Sequence, residues 1–164
     1  MEKIYETAYA KINLGLDVLG KRSDGYHEVR MVMQSVGLSD AVEIEEGEGL
    51  VVETDHSGLA GGPDNLAWKA AELLARCCGK IPNVHIRLNK KIFLAAGLAG
   101  GSSDAAAVMR GLSRLWQLDL TAPELEKLAA ELGSDIPFCI TGGTALAEGR
   151  GEILTELPEA PELL

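Results

Sequence analysis

The N-terminal third of the chain alternates apolar and polar residues in the way that β-strands do. Residues 11–18 place four aliphatic side chains on one face of a strand and the side chains of Lys11 and Asn13 on the other. The turn formers between Gly20 and Gly25 then predict a reversal of the chain. Further strand segments follow at residues 29–38, 41–45 and 50–53.

Later segments have the spacing of amphipathic helices. Residues 65–78 form one such segment, and Gly79 is a plausible stop. Its apolar stripe is formed by Leu66, Ala70, Leu73, Leu74 and Cys77. Residues 105–115 predict a second helix, and residues 121–124 form a capping box that begins a short third helix ending at Gly133. Residues 138–147 predict a strand, a turn and a strand. This order of elements predicts an α+β fold.

Composition and charge narrow the classes of function. The chain has 164 residues, enough for one sizeable domain, and its 46% hydrophobic and 24% charged residues are typical of globular proteins. A net charge of −10 argues against a nucleic-acid partner but not against a small nucleotide substrate. No apolar run approaches the roughly 18 residues that span a bilayer, so we expect no membrane partner. Its 3 cysteines lack metal-ligand spacing and indicate reduced core thiols in a cytoplasmic protein without a metal site.

The C-terminal residues differ from the rest of the chain. Residues 157–164 contain two prolines and a final apolar pair, and no closing element follows them. We therefore predict one domain over residues 1–155 and a linker over residues 156–164 that leads to a further domain.

The clearest chemical signal is the glycine-rich segment LAAGLAGGSSDAAA at residues 94–107. Its glycines allow the backbone to approach a ligand closely, and Ser102, Ser103 and Asp104 are residue types that cap helices. The first amides of a helix have no internal partners and favour an anion. The patterns GxxxxGK[ST] and GxGxxG are both absent, so the segment predicts a phosphate-binding loop of a third kind, with a tight capped turn as the alternative.

Five residues outside this loop are candidates for chemistry, and each has a structural alternative. Asp135 could orient an acceptor hydroxyl, or it could stabilise a turn. Lys11 could offset the charge of a phosphoryl group, or it could be a solvated strand residue. Tyr26 and His27 could bind a flat base, or they could pack at the end of a strand. Asn65 is most simply a helix cap.

Taken together and in this order, these segments resemble the GHMP family of small-molecule kinases. The matching segments cover most of residues 10–152 and are AKINLGLDVLGKRSDGYHEV, MQSVGLSD, PDNLAWKAA, AAGLAGGSSDAA, LGSDIPF and ALAEGRGE. The resemblance implies the N-terminal ATP-binding domain of that family, a mixed, mainly antiparallel sheet with helices packed on one face. It also implies ATP and magnesium as cofactors and a small-molecule alcohol as the substrate.

The resemblance also implies roles for individual positions. Lys11 and Asp135 would form the catalytic pair, with Asp135 taking the proton of the substrate hydroxyl, and Asn13 would help to orient the acceptor. Tyr26 and His27 would hold a cytosine base. The residues that bind ATP would be Asn65, near the adenine, and the loop residues Leu94, Ala95, Ala96, Gly97, Leu98, Ala99, Gly100, Gly101, Ser102 and Ser103.

The chain departs from the family pattern at two points. Phe93 stands where the family usually has proline, which leaves the path of the loop less fixed, and the C-terminal half of the family's fold is missing. The alternatives are therefore a non-catalytic nucleotide-binding module and another GHMP kinase, acting on a sugar, homoserine or mevalonate. The face that would meet a second half predicts an exposed apolar patch and self-association.

Overall fold

The computed structural model describes residues 3–159, which form a six-stranded mixed sheet and four helices. The strands are β1 (Lys3–Lys21), β2 (His27–Glu46), β3 (Leu50–Thr54), β4 (Val84–Asn89), β5 (Thr144–Gly149) and β6 (Ile153–Glu156). The helices are α1 (Leu66–Cys78), α2 (Gly100–Leu115), α3 (Ala122–Ala129) and α4 (Ile136–Thr141). β1 and β2 form a long hairpin, and the chain reversal predicted before residue 26 is confirmed.

β2 is the central strand because it pairs along both of its edges. β1 pairs with one edge over nearly the whole length of β2, whereas the other edge pairs with β5 at residues 29–34 and with β4 at residues 41–46. Only β3 and β4 are parallel, so the predicted mixed, mainly antiparallel sheet is confirmed. Residues 35–40 of β2 lie between these two partners, and this interval borders the candidate site described below.

The main core forms where the inner face of the sheet packs against the helices. Residues of all four helices join Val42 and Ile44 of β2 and the alternating buried residues of β4 in one cluster. α2 lies so close to the sheet that a Cβ atom on Gly111 would be 2.5 Å from Cδ1 of Ile44. The α+β prediction is confirmed. Within residues 3–159, no helix is both long enough and apolar enough to cross a membrane.

Three local predictions about helices hold, and the prediction that the cysteines lie in the core is wrong for Cys77. The side chain of Asn65 caps α1, Gly79 follows α1 with a left-handed φ of 62°, and the capping box begins α3 as expected. Cys77, however, is exposed, and Cys78 and Cys139 are only partly buried, all as free thiols. In the last turn of α1 it is the next residue, Cys78, that packs against the core, so the helical stripe did not correctly predict the burial of Cys77.

The structure corrects two predicted element boundaries. Residues 136–141 form a helix and not a strand, because an apolar run this short has no distinguishing period and Pro137 fits the first turn of a helix. α2 begins at Gly100 and not at residue 105, so Ser102, Ser103 and Asp104 lie inside the helix and do not cap it.

The apolar face of the second half of β1 is exposed. The side chains of Leu14, Leu16 and Val18 are 48%, 52% and 62% exposed because no described element covers them, and an irregularity in the strand register at Leu14 interrupts the predicted alternation. At the other end, β6 includes Glu156 and so extends one residue past the predicted domain end. Residues 160–164 of the predicted linker lie outside the described residues, and the boundary itself stays a prediction.

Candidate active site

Lys11 and Asp135 meet at the edge of the sheet. Lys11 lies on β1, where its ammonium group is 3.5 Å from Oδ2 of Asp135, the residue that immediately precedes α4. The same ammonium donates a hydrogen bond to Oδ1 of Asn13 at 3.4 Å, as expected for side chains two residues apart on one strand. Lys11 is 5% exposed, whereas the Asp135 side chain is 34% exposed, so the carboxylate is accessible to a ligand.

Two hydrogen bonds fix the glycine-rich loop against this part of β1. The backbone amide of Lys11 donates to the carbonyl of Leu98 at 3.1 Å. The hydroxyl of Ser103, in the first turns of α2, donates to the carbonyl of Tyr9 at 2.6 Å. The predicted loop and Lys11 of the predicted catalytic pair are therefore neighbours, although they lie far apart in the sequence.

The loop has an unusual backbone directly before α2, which begins at Gly100. Ala95, Gly97 and Ala99 have left-handed φ angles of 54°, 74° and 56°, which cost little for glycine and more for alanine. The loop residues before Leu98 are exposed, as is Phe93 at the start of the loop. An exposed glycine-rich backbone at a helix N-terminus suits an anion.

A buried cluster of charged residues supports the base of the loop. The ammonium of Lys90 bonds Oδ2 of Asp40 at 2.5 Å and also bonds Oδ2 of Asp104. The other oxygen of Asp40 accepts hydrogen bonds from the backbone amides of Lys91 and Ile92. Lys90 therefore connects β2, α2 and the start of the loop, and it is too deeply buried to bind phosphate directly.

The ionisation of this cluster is perturbed by its burial. Burial raises the pKa of Asp104 to about 7, although the Lys90 ammonium opposes the change, and the nearby Asp40 carboxylate adds to it. Burial lowers the pKa of Lys90, but the two carboxylates raise it by more, so Lys90 stays charged. Oδ1 of Asp104 is buried and has no hydrogen-bond partner among the described residues.

Asn65 lies next to the loop but already uses its side chain in the fold. Its Oδ1 accepts from the amide of Ala67 at 2.8 Å, and its Nδ2 donates to the carbonyl of Ala60 at 2.9 Å. The following residue, Leu66, lies close to Gly101 of the loop. The structure therefore places Asn65 beside the glycine-rich loop as a helix cap, and its contact with adenine stays a prediction.

Tyr26 and His27 lie at the far end of the β1–β2 hairpin, about ten residues along the strand from Lys11. The turn between β5 and β6 connects the two regions. The guanidinium of Arg150 lies 4.9 Å from the centre of the Tyr26 ring, and a Cβ atom on Gly151 would lie 3.8 Å from Cβ of Ser134. Tyr26 is thus on the same side of the molecule as Asp135.

Several site residues have no role in the sequence analysis. Arg150 lies in the matching segment ALAEGRGE, so its position was available but its contact with Tyr26 was not. Lys90 precedes the glycine-rich loop, and the sequence analysis treats Asp104 only as a helix-capping residue type; the sequence carries no local signal that the two pair. Asp40, at the end of the segment MQSVGLSD, gives no separate signal.

The comparisons with known proteins agree with this geometry. Residues 65–143 match the family model described as the GHMP kinases N terminal domain. The chain is 50% identical over 159 residues to a 4-diphosphocytidyl-2-C-methyl-D-erythritol kinase of Caldanaerobacter subterraneus, covering 97% of this chain and 55% of that protein. It is 54% identical over 153 residues to a protein of the same name from Synechococcus, covering 93% of this chain and 50% of that protein.

Solved structures of kinases also have folds similar to that of this chain. A crystal structure of 4-(cytidine 5'-diphospho)-2C-methyl-D-erythritol kinase matches with a TM-score of 0.80 and 39% identity, covering 94% of this chain and 55% of that one. The Methanococcus jannaschii mevalonate kinase matches with a TM-score of 0.71 and 14% identity, covering 96% of this chain and 56% of that one, and this shows a shared fold. The chain spans about half the length of the curated relatives that it matches.

Proposed function

Because the chain has the N-terminal domain of the GHMP kinases, we propose that it is the ATP-binding half of a kinase. The proposed reaction transfers the γ-phosphate of ATP to the 2-hydroxyl of 4-diphosphocytidyl-2-C-methyl-D-erythritol, a step of non-mevalonate isoprenoid precursor synthesis. The observation that supports it best is the Lys11–Asp135 pair, 3.5 Å apart and joined through Lys11 to the glycine-rich loop. The sequence identities of 50% and 54% to two relatives named as kinases of this substrate support the choice of substrate.

In this proposal the loop binds the ATP phosphates. The free amides at the start of α2 donate to phosphate oxygens, and the exposed backbone of residues 94–97 allows close approach. Lys90 contributes indirectly, because its bonds to Asp40 and Asp104 hold the start of the loop against β2 and α2.

Lys11 and Asp135 act on the acceptor hydroxyl. The exposed Asp135 carboxylate accepts a hydrogen bond from the hydroxyl and orients its oxygen towards the γ-phosphate. In a loose transition state the proton leaves late, so a carboxylate that is a weak base suffices. The Lys11 ammonium forms an ion pair with the carboxylate and offsets charge on the transferring phosphoryl group. Asn13 accepts from Lys11 and so helps to fix its direction.

Magnesium fits this site through the nucleotide. Mg²⁺ in kinases is held mainly by phosphate oxygens and water, together with one or two side-chain oxygens. The Ser102 hydroxyl in the first turn of α2 is a suitable ligand, whereas Asp135 is paired with Lys11 and Asp104 is buried against Lys90. When bound, the ion supplies positive charge to the phosphates.

Tyr26 and His27 are the residues that we propose for the cytosine. Arg150 stacks on one face of the Tyr26 ring, and the ring is 51% exposed, so a base can stack on the other face. This contact separates the proposed substrate from the sugars, homoserine and mevalonate that other kinases with this fold act on. Free cytidine diphosphate should therefore compete with the substrate. The free thiols are consistent with a reducing, cytoplasmic location.

The test is phosphoryl transfer by this chain from radiolabelled ATP to 4-diphosphocytidyl-2-C-methyl-D-erythritol with magnesium. The matched control is Asp135→Asn, which keeps the side-chain shape and removes the charge. Turnover above this control that cytidine diphosphate inhibits would support the proposal. ATP binding by calorimetry without any turnover would instead favour the non-catalytic nucleotide-binding module.

Self-association through the exposed face of β1 is a separate proposal. Leu14, Leu16 and Val18 give this face an apolar surface without a described covering element. Light scattering over a range of concentrations tests it, and a monomer at all concentrations would contradict it.

A further inference from the structure

Helix α4 begins directly after Asp135, whose Oδ2 lies 3.5 Å from the Lys11 ammonium. Beside this pair, a cavity of about 490 Å³ lies between the first part of β1 and the C-terminal part of α4, and residues of α2 and Ser35 of β2 complete its lining. The apolar residues Ile136 and Ile140 anchor the inner side of α4 in the core. Apolar contacts of this kind are not directional, so they do not by themselves fix how far α4 lies from β1.

The side chain of Arg110, on α2, bridges this space with four hydrogen bonds. Towards β1, its Nε donates to Glu6 at 3.0 Å and its Nη2 donates to the carbonyl of Thr7 at 2.9 Å. Towards α4, its Nη1 donates to the carbonyls of Cys139 at 2.7 Å and Ile140 at 3.3 Å. One planar, permanently charged group thus holds both elements in a fixed relation.

The bridged residues lie close to the catalytic pair on both sides. Thr7 is four residues before Lys11 on the same strand. Cys139 is one helical turn after Asp135, and its amide donates to the Asp135 carbonyl at 3.3 Å. Displacement of the Cys139 end of so short a helix therefore displaces Asp135 as well.

We propose that Arg110 is a positioning residue that keeps the Asp135 carboxylate within ion-pair distance of Lys11. The expected effect of Arg110 on catalysis rests on the proposed kinase function. Its effect on the distance between α4 and β1 does not depend on that function. Arg110 binds no ligand in this account and acts only by holding α4 against β1.

Arg114 provides a matched control on the same helix. It also bonds Glu6, and its Nη2 donates to the carbonyl of Tyr5 at 3.2 Å, but its hydrogen bonds do not extend to α4. Replacing Arg114 removes a similar charge and a similar contact with β1 and leaves the connection to α4 in place.

The geometric test is the rate of reductive methylation of single lysines, followed by peptide mass mapping. Lys11 is 5% exposed and Lys90 has a side chain that is 1% exposed, so both react slowly in the native chain. In Arg110→Met we expect Lys11 to react about tenfold faster, because the hydrogen bonds of a charged group are lost. The methylation rate of Lys90 should stay unchanged. Arg110→Lys should lie between these values, and Arg114→Met should change neither rate.

The kinetic test uses the same variants in the phosphoryl-transfer assay. We expect Arg110→Met to lower kcat by about tenfold while the KM for ATP stays within about twofold, because the phosphate loop does not contact Arg110. Arg114→Met should keep both constants.

The outcomes separate the two proposals. An unchanged methylation rate of Lys11 in folded Arg110→Met would overturn the positioning role. An equal rise in the methylation rate of Lys90 would also overturn it, because such a rise indicates that the whole fold has loosened. If Arg110→Met does not fold, the same comparison in Arg110→Lys decides. Absence of turnover in the unaltered chain would overturn the kinase function of this chain, and the methylation pattern would still decide on Arg110.

Discussion

Lys90 and Asp104 form an ion pair beneath the glycine-rich loop in which the two side chains are 1% and 2% exposed. Asp40 joins the pair from β2, so the cluster contains two carboxylates and one ammonium. With both carboxylates ionised it has one uncompensated negative charge, and the pKa of Asp104 near 7 means that a proton neutralises this charge in mildly acidic solution.

This relationship predicts a pH-dependent stability that Asp104→Asn removes. The pKa of Asp104 is higher in the folded chain than its ordinary value of 3.8, so the folded state binds the proton more tightly. The resulting stabilisation is complete below pH 3.8 and is lost as the pH rises through about 7. Urea unfolding from pH 4 to 8 should therefore show the free energy of unfolding of the native chain falling relative to Asp104→Asn. Parallel curves would contradict this, and the exposed Asp119→Asn variant is the control.

Replacing Lys11 should affect turnover far more than nucleotide binding. Lys11→Ala removes the charge beside Asp135 while the backbone bond from residue 11 to the loop remains, so we expect kcat to fall at least about 100-fold with little change in the Kd for ATP. Lys21→Ala, on an exposed position of the same strand, is the control. Turnover in Lys11→Ala comparable to that of the control would remove Lys11 from the catalytic pair.

Two adjacent glycines before α1 should respond oppositely to alanine. A Cβ atom on Gly61 would lie 1.9 Å from the carbonyl oxygen of Val52, which β3 pairing holds in place, whereas a Cβ atom on Gly62 would have no neighbour within 4 Å. We expect Gly61→Ala to lower the free energy of unfolding by roughly 1–3 kcal/mol or more. Gly62→Ala should change it by less than about 0.5 kcal/mol. Denaturant unfolding measures both, and equal effects would refute the close contact.

The Asn65 cap gives a prediction for stability that is independent of ATP. Asn65→Ala removes the acceptor for the Ala67 amide and the donor to Ala60, so unfolding should become easier by about 1 kcal/mol. Asn65→Asp keeps the acceptor for the Ala67 amide and should therefore lose less stability than Asn65→Ala. The Kd for ATP of the folded Asp variant then tests the predicted contact with adenine. Equal loss in the two variants would mean that capping contributes little.

The local signals in the sequence are reliable where a side chain interacts with its own neighbourhood in the chain. The cap at Asn65, the capping box at residues 121–124 and the shared orientation of Lys11 and Asn13 all depend on contacts within a few residues. For residues 136–141 the local signal was ambiguous, because a short and mostly apolar run fits a strand as well as a helix.

The sequence by itself determined the kind of fold, the position of the glycine-rich loop and the residue types available for phosphoryl transfer, since periodicity and motif spacing are local properties. Only the tertiary structure decided that α2 begins at Gly100, that Lys90 is neutralised by Asp40 and Asp104, and that Arg110 connects α4 to β1. These contacts join residues far apart in the chain. Their geometry follows from the close packing of α2 on the sheet, which no short segment encodes.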